Sequence, residues 1–476
     1  RLPLKKAAKI VHGNALRIDW EEVISKEKLN FILGNPPFVG KQLQNAHQKA
    51  DMNHVLGDVK GAGVLDYVTS WYIKAAEFIQ NSLIRCALVS TNSISQGEQV
   101  GIIWQELYQK YKIKIHFAHR TFSWSNEAKG NAAVHCVIIG FGLEDIDNKR
   151  IFDYADIKGE PTERKVKNIN PYLVEGSDLV ILSRRKTISS VPEINFGSMP
   201  NDGGHLILSQ SEKEELVKNE PDSQKWIKPL LSAKEFLNNE DRYCLWLTNI
   251  QPQELKKSKI IASRVEQVKL TREKSNREST RKLSNFPTLF GENRQPKTSY
   301  ILIPRHSSEN RKYIPFGFFS PDYIASDSCL FVANADLYLF GILTSEMHMA
   351  WVKYVCGRLK SDYRYSNTIV YNNYPFPENI TDKQKQTVET CAQAVLDTRI
   401  KYPDSSLADL YDPLTMPPDL LKAHQKLDKA VDLCYRPQPF TSELNRIEYL
   451  FELYEKLTAP LLPTSKQKPA KRKNPQ

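Results

Sequence analysis

The sequence contains no run of apolar residues that approaches the roughly 20 needed to cross a bilayer, so no membrane partner is expected. Its seven cysteines are scattered, without a Cys-x-x-Cys pair or a Cys/His cluster. This pattern argues against a metal site and favours reduced thiols in a cytoplasmic protein. A hydrophobic content of 41% and a charged content of 25% are ordinary for a globular chain, and 476 residues predict about two to four domains.

A short apolar run that ends in a proline turn stands out near the start of the sequence. Residues 31–33 (Phe-Ile-Leu) precede Gly-Asn-Pro-Pro, as in a buried strand that runs into a rigid turn. The two prolines lack backbone donors, so the carbonyls of Asn35 and Pro36 are expected to point outward. Together with the Asn35 amide oxygen and the Phe38 ring, they suit a planar heterocycle with an exocyclic amino group, such as an adenine flipped out of DNA. A plain turn is the alternative.

The Asn-Pro-Pro-Phe sequence resembles motif IV of amino-group methyltransferases that use S-adenosylmethionine. By this resemblance, Asn35 and Pro36 would be catalytic acceptors and Phe38 would stack on the target base. The loop at Asn14 and Ala15 would correspond to motif III and contact the adenine of the cofactor, with an ordinary Asn turn as the alternative. Motif IV alone does not specify DNA, because methyltransferases that act on protein glutamine also carry it.

Strands and helices alternate through the next hundred residues. Apolar runs and periodicity predict strands at Cys86–Ser90, Ile113–Phe117 and Val134–Phe141 and helices at Val64–Gln80 and Glu98–Lys110. This order predicts an α/β fold over residues 1–150, the latter part of a doubly wound sheet that ends in an antiparallel hairpin. By resemblance, it is the C-terminal part of a Rossmann-like methyltransferase sheet. Asp66, near the start of the first of these helices, suits the helix dipole and is given no chemistry.

Two further features of this region bear on a target base. Phe122 and Trp124 lie in a polar segment, residues 121–133, that resembles motif VIII, whose apolar residues help to sandwich the flipped base. Packing within the hairpin is an equally weighted alternative. Lys41, just after the proline turn, is a candidate for contact with the DNA backbone, with a solvated side chain as the alternative.

Positive charge is concentrated between Lys256 and Tyr313. The segment holds fifteen Lys and Arg against five Glu, so it carries nearly all of the net charge of +11. Charge this concentrated predicts contacts with phosphates. The alternative is a solvated, lysine-rich helix over Ile260–Leu283.

A loop that begins at Gly357 alternates cations with tyrosines. The candidate DNA-binding residues are Arg358, Lys360, Arg364 and Asn367. Arg and Asn can pair bidentately with guanine and adenine in the major groove, while Tyr363 and Tyr365 could stack or bind phosphate. The loop is therefore predicted to read bases, with a structural role as the alternative.

Longer stretches make the resemblance specific. Ser345–Trp351, Gly357–Ser366, Tyr371–Pro375 and Leu407–Pro413 resemble MmeI-like type II restriction-modification enzymes, and the likeness runs from residue 7 to about 460. In that family one polypeptide joins a nuclease, a helical spacer, an N6-adenine DNA methyltransferase, a target-recognition domain and a helical tail. No cleavage activity is carried over.

The resemblance implies a site-specific DNA methyltransferase that belongs to a restriction-modification system and acts on double-stranded DNA. The expected divisions are a partial methyltransferase domain (1–150), a connector (151–240), an α+β target-recognition domain (241–377), a helical region (378–462) and a disordered basic tail (463–476). Two alternatives stay open. One is a non-catalytic DNA-recognition fragment, and the other is an RNA or protein-glutamine methyltransferase that shares the turn.

One expected signature is missing. The cofactor fingerprint of this fold is a glycine-rich turn after the first strand with an acidic residue at the end of the second, and neither occurs ahead of Gly13. The chain is therefore expected to lack an N-terminal portion of the same polypeptide. The strand at residues 31–33 would then lack its central neighbour and expose an apolar edge.

Isothermal titration of the isolated chain with S-adenosylmethionine tests this expectation. Because the glycine-rich turn is missing, we expect weak binding or none, and little activity from the chain alone. Tight binding, with a micromolar or lower Kd, would contradict it.

Overall fold

The computed structural model describes residues 8–124 and 134–459, and the predicted disordered tail (463–476) lies outside them. The first part of the chain forms a six-stranded sheet with helices packed on it. Its elements are α1 (Trp20–Val23), β1 (Phe31–Gly34), α2 (Ala46–Leu56), α3 (Thr69–Phe78), β2 (Arg85–Thr91), α4 (Glu98–Gln109), β3 (Lys114–Trp124), β4 (Val134–Gly142), β5 (Lys149–Asp153) and β6 (Thr162–Val166).

The strand order is β1-β2-β4-β3-β5-β6. β1 and β2 are parallel, and β4 runs antiparallel to both β2 and β3. The predicted α/β sheet ending in an antiparallel hairpin is therefore confirmed. The predicted boundaries differ, because β3 continues past Phe117 to Trp124 through a register shift between His119 and Phe122.

β1 lies at the edge of this sheet, with β2 as its neighbour. The side chains of Phe31 and Leu33 are 63% and 78% exposed, whereas Ile32 packs against the core. The expected apolar edge is confirmed. The interpretation of residues 31–33 as a buried strand is wrong for one face, because side chains alternate across a strand and only Ile32 points inward.

Short strands and helices make up the middle of the chain. They are β7 (Ile194–Phe196), β8 (Ile207–Leu208), α5 (Gln210–Asn219), β9 (Ile227–Leu231), α6 (Ala233–Asn238), β10 (Tyr243–Leu245), α7 (Pro252–Lys257), α8 (Lys259–Glu273), α9 (Glu278–Lys282), β11 (Tyr300–Pro304), β12 (His306–Ser307), β13 (Gly317–Phe319), β14 (Ile324–Ala325), β15 (Cys329–Ala333), α10 (Leu337–Leu343), α11 (Glu346–Val355), β16 (Gly357–Leu359) and β17 (Asp362–Arg364). The strands form three small sheets, ordered β14-β9-β10-β8, β13-β11-β15-β7 and β12-β17-β16. Since β9 pairs with β10, the predicted boundary at residue 240 falls inside a sheet.

Helices complete the described chain: α12 (Asp382–Ile400), α13 (Leu407–Leu410), α14 (Pro418–Tyr435) and α15 (Glu443–Thr458). The three longer helices each bury an apolar stripe, which includes Val388 on α12, Leu427 on α14 and Leu450 on α15. These residues belong to a hydrophobic cluster that also includes core residues of the first sheet and of α11. No helix among residues 8–124 and 134–459 is long and apolar enough to cross a membrane.

The basic segment is organised by one buried arginine. Arg272, on α8, is 1% exposed, and its guanidinium donates to five backbone carbonyls, those of Pro200, Asn201, Leu283, Phe286 and Leu289, at 2.7–3.0 Å. These bonds fix the chain after α9 against the 200–201 turn. The single lysine-rich helix over Ile260–Leu283, given above as the alternative, is in fact two helices, α8 and α9, separated at residues 274–277.

Removal of this guanidinium should destabilise the fold. We expect Arg272→Ala to lower the free energy of unfolding by about 3 kcal/mol or more, because buried carbonyls lose their donors. The exposed neighbour Lys274→Ala should change it by less than about 0.5 kcal/mol. Urea unfolding followed by circular dichroism checks both variants, and equal midpoints for the two would contradict this role for Arg272.

Candidate functional site

The proline turn follows β1 at the edge of the first sheet. Asn35 is exposed, Pro36 is buried and Phe38 is half-buried against the core. The Asn35 side chain is therefore accessible to a ligand, whereas Pro36 is enclosed by the protein, and acceptance of a hydrogen bond by its carbonyl stays a prediction. The structure keeps the predicted acceptor and ring on one short segment.

Two neighbouring residues, which we call the Asp66–Tyr67 clamp, hold the far end of this turn. The Tyr67 amide donates to the Val39 carbonyl at 2.9 Å, and the Lys41 amide donates to Asp66 Oδ1 at 3.3 Å. These bonds fasten a segment that, with prolines at positions 36 and 37, has few donors of its own.

On its other side, the clamp reaches the end of β2 and the start of α4. Ser93 Oγ donates to Asp66 Oδ2 at 2.6 Å, and the Asp66 amide donates to Gln99 Oε1 at 3.0 Å. Sequence reasoning missed Asp66, which was interpreted as a helix-start carboxylate. In the structure α3 begins only at Thr69, so Asp66 is free to bind side chains and backbone elsewhere.

Tyr67 continues the connection to a buried carboxylate. Its hydroxyl donates to Asp51 Oδ2 at 2.7 Å, and Asp51 also accepts from Asn14 Nδ2 at 2.9 Å and Arg17 Nε at 2.7 Å. Burial raises the pKa of Asp51, but the three donors outweigh it, so the net pKa lies below the usual range. Burial and the neighbouring carboxylate raise the pKa of Tyr67. Asp51 is therefore an anion that holds two loops together at neutral pH.

The two residues predicted to contact the cofactor lie on one of these loops. Asn14 Oδ1 accepts from the Leu16 amide at 3.0 Å, in addition to the bond from Asn14 Nδ2 to Asp51. The Ala15 carbonyl accepts from Trp20 Nε1 at 2.8 Å. Their polar atoms serve the loop itself, so a cofactor contact by Asn14 and Ala15 stays a prediction.

The predicted base-pocket residues lie on a strand, not in a loop. Phe122 stacks on Tyr154 at 5.3 Å between ring centroids, and Trp124 is 40% exposed with its ring 6.1 Å from Phe122. β2 and β4 separate their strand from β1, which corresponds to about 14 Å across the sheet. The structure does not bring them beside the turn. Most of the polar segment, residues 125–133, lies outside the described residues.

The Gly357 segment is a hairpin and not a loop. β16 and β17 pair with each other, and β12 joins β17 as a third strand. Tyr363 and Tyr365 are 2% and 1% exposed, so their predicted contact with bases or phosphates is wrong. Their spacing of two residues along an extended strand could have indicated a common inward face. Tyr365 Oη lies 2.8 Å from Nε2 of His348, whose pKa burial lowers to about 3.

The four candidate DNA-binding residues of this segment differ in exposure. Arg358 stacks on Tyr363 at 3.8 Å and donates to the carbonyls of Ser361 and Lys353, so it stiffens the hairpin. Asn367 is half-buried at the start of a π-helical turn, Asn367–Tyr371.

Lys360 and Arg364 are exposed, as is Lys41 beside the proline turn. Exposure makes these three side chains the stronger candidates for nucleic-acid contact, which stays a prediction.

The root of the hairpin touches the start of α4 through two glycines. Gly97 adopts φ +69°, and a Cβ there would lie 2.7 Å from Gly357 Cα, so a side chain would collide with the backbone. The Gly97 amide also donates to the Val355 carbonyl at 3.1 Å. Gly97 is two residues from Gln99, which binds the clamp. The structure thus joins the turn, the clamp and the hairpin root.

Several cations of the basic segment are engaged in hydrogen bonds within the protein. Arg264, Arg272, Arg294 and Arg305 all donate to backbone carbonyls. The exposed cations that remain include Lys256, Lys257, Lys259, Lys269, Lys274 and Arg277. Among the described residues, no group of three His, Cys, Asp or Glu could hold a metal ion.

Comparison with known proteins shows what the chain is similar to. Three models from one family match it: the MmeI DNA-methyltransferase domain over residues 1–153, the MmeI target recognition domain over 175–378 and the MmeI C-terminal domain over 380–462. A curated relative, DNA methyltransferase A of Bacillus subtilis (strain 168), is 41% identical over 460 residues, which is 96% of this chain and 51% of the relative.

A solved structure agrees. The type IIL restriction-modification enzyme MmeI in complex with DNA superposes with a TM-score of 0.85 and 48% identity, over 96% of this chain and 61% of that one. The chain spans about half the length of the curated relative. On the three family models and this structural match, the chain belongs to the MmeI-like type II restriction-modification family.

Proposed function

We propose that this chain carries the target-base site and the recognition domain of a site-specific DNA methyltransferase that transfers a methyl group from S-adenosylmethionine to N6 of adenine, in a restriction-modification system. The observation that carries the proposal is the exposed Asn35 on a proline turn fastened by the Asp66–Tyr67 clamp. The match to the DNA-methyltransferase domain over residues 1–153 supports it.

The chemistry asked of the turn is hydrogen-bond acceptance. The Asn35 amide oxygen and the Pro36 carbonyl would each accept one hydrogen of the adenine amino group. With both hydrogens held, the nitrogen lone pair turns out of conjugation with the ring and becomes a better nucleophile. Phe38 would stack on the base, and the clamp would keep the acceptors in position, so the contribution of the chain is orientation and electrostatics.

The described residues fit the methyl donor, S-adenosylmethionine, less well than they fit the target base. Within residues 8–124, the open side of β1 has no further strand that ends in a glycine-rich turn. The polar side-chain atoms of Asn14 are already hydrogen-bonded to Asp51 and to the Leu16 amide. The exposed faces of Phe31 and Leu33 suit a further parallel strand beside β1, which a preceding portion of the polypeptide would supply together with the cofactor turn.

Double-stranded DNA is the proposed partner. The exposed lysines of the basic segment lie within the matched recognition domain, which favours DNA over a protein-glutamine substrate. Affinity for duplex DNA that falls steeply with salt would support this choice. A non-catalytic recognition module is the second candidate, favoured by the match to the target recognition domain over residues 175–378.

Replacement of the acceptor tests the catalytic assignment. In a polypeptide that also carries the cofactor-binding strands, Asn35→Ala should lower single-turnover methyl transfer by about 100-fold or more, because one amino hydrogen loses its acceptor. Duplex binding should be unchanged. The exposed Asn53→Ala on α2 is the matched control and should keep full transfer. Full transfer by the Asn35 variant would contradict the assignment.

Hydrogen exchange on the chain itself tests the clamp. In Asp66→Ala, amide exchange in peptides over residues 39–43 should accelerate about tenfold, because the Lys41 amide loses its acceptor and Ser93 its partner. The exposed Asp58→Ala serves as the control and should leave these peptides unchanged. Equal exchange rates in the Asp66→Ala and Asp58→Ala variants would contradict the role of the clamp in holding the turn.

A further inference from the structure

The β16–β17 hairpin carries an apolar side chain at its tip. Leu359, the last residue of β16, is 52% exposed and pairs across the hairpin with Asp362. Lys360 follows it with a φ of +58°, a left-handed backbone conformation that favours glycine. Leu359 thus presents about half of its surface to solvent beside a cation, at the end of the hairpin.

The hairpin is stiff on its inner side. The Arg358 guanidinium stacks on the buried Tyr363 ring and binds the carbonyls of Ser361 and Lys353, so the strands and the end of α11 are tied together. β12 extends the hairpin to three strands. A leucine presented on such a support loses little conformational freedom when it contacts a partner.

The hairpin is also fixed relative to the target-base turn. Its first residue, Gly357, packs on Gly97, and the chain from Gly97 reaches Gln99, which binds the amide of Asp66. Asp66 in turn holds Lys41 at the end of the turn. The hairpin and the proline turn are thus connected through backbone packing and hydrogen bonds rather than through a flexible linker.

We propose that Leu359 is a wedge that inserts into the base stack of duplex DNA, with Lys360 and Arg364 contacting the flanking phosphates. This inference rests on the proposed function, since a base must leave the stack to reach Asn35. Apolar side chains inserted between base steps unstack and kink DNA, and extrusion of a base costs least where stacking is already broken. Lys360 in the turn and Arg364, which pairs with Gly357, are exposed cations that match the charge of the backbone that borders such a gap.

Binding of the chain to two duplexes tests the wedge. One is an intact 30-base-pair duplex, and the other has the same sequence with one central abasic site, which offers a gap without the cost of unstacking. By fluorescence anisotropy, the wild-type chain should bind the abasic duplex about tenfold more tightly. Leu359→Ala should reduce this ratio to about one while its affinity for the intact duplex stays within about twofold, and Leu359→Met should keep the preference.

Two controls separate the wedge from general effects. Leu414→Ala, which removes a leucine that is 95% exposed before α14, should keep the wild-type ratio. Lys360→Ala should weaken both duplexes alike and reduce the salt slope by about one.

Two results would overturn the proposal: a wild-type chain with no preference for the abasic duplex, or a Leu359→Ala variant that keeps the wild-type preference, whether its affinities are unchanged or both fall equally. Failure of the wild-type chain to bind either duplex would overturn the proposed function as well.

Discussion

The proline turn cannot be held by a β ladder, because two successive residues have no amide to donate. Its position therefore depends on hydrogen bonds to residues outside the turn. The Tyr67 amide donates to the Val39 carbonyl, and Asp66 accepts from the Lys41 amide. A side-chain acceptor such as Asn35 is useful for catalysis only if its backbone is fixed to a fraction of an ångström. The clamp meets this requirement from one dipeptide that also binds the end of β2 and the start of α4.

The same contacts join the β16–β17 hairpin, which lies within the region matched by the target recognition domain, to the first part of the chain and its proline turn. The β16–β17 hairpin packs against the segment that precedes α4 at Gly357 and Gly97, where neither backbone carries a side chain. From there, α4 leads to the clamp through Gln99. A hydrophobic cluster shared by the first sheet, α11 and the C-terminal helices gives both regions a common core. A DNA duplex held by the hairpin would then meet the turn at a fixed distance.

The sequence predicted the local features well. The alternation of strands and helices is a short-range pattern, and the sheet followed from it, whereas the exposed edge of β1 followed from the missing cofactor fingerprint. The clamp could not be predicted, because Asp66 and its partner Ser93 are separated by 27 residues and meet only in the tertiary structure. Composition also overstated the DNA surface: Arg272 counts as a positive charge in the sequence, yet it is buried and holds backbone carbonyls.

Mass spectrometry of nucleosides is the most direct measurement of the central claim. Duplex DNA would be incubated with S-adenosylmethionine, this chain and a polypeptide that supplies the strands beside β1, and then digested. The account predicts N6-methyldeoxyadenosine, at a level that depends on the duplex sequence. Methylation of cytosine alone, or of glutamine in a protein substrate with unmodified DNA, would contradict it.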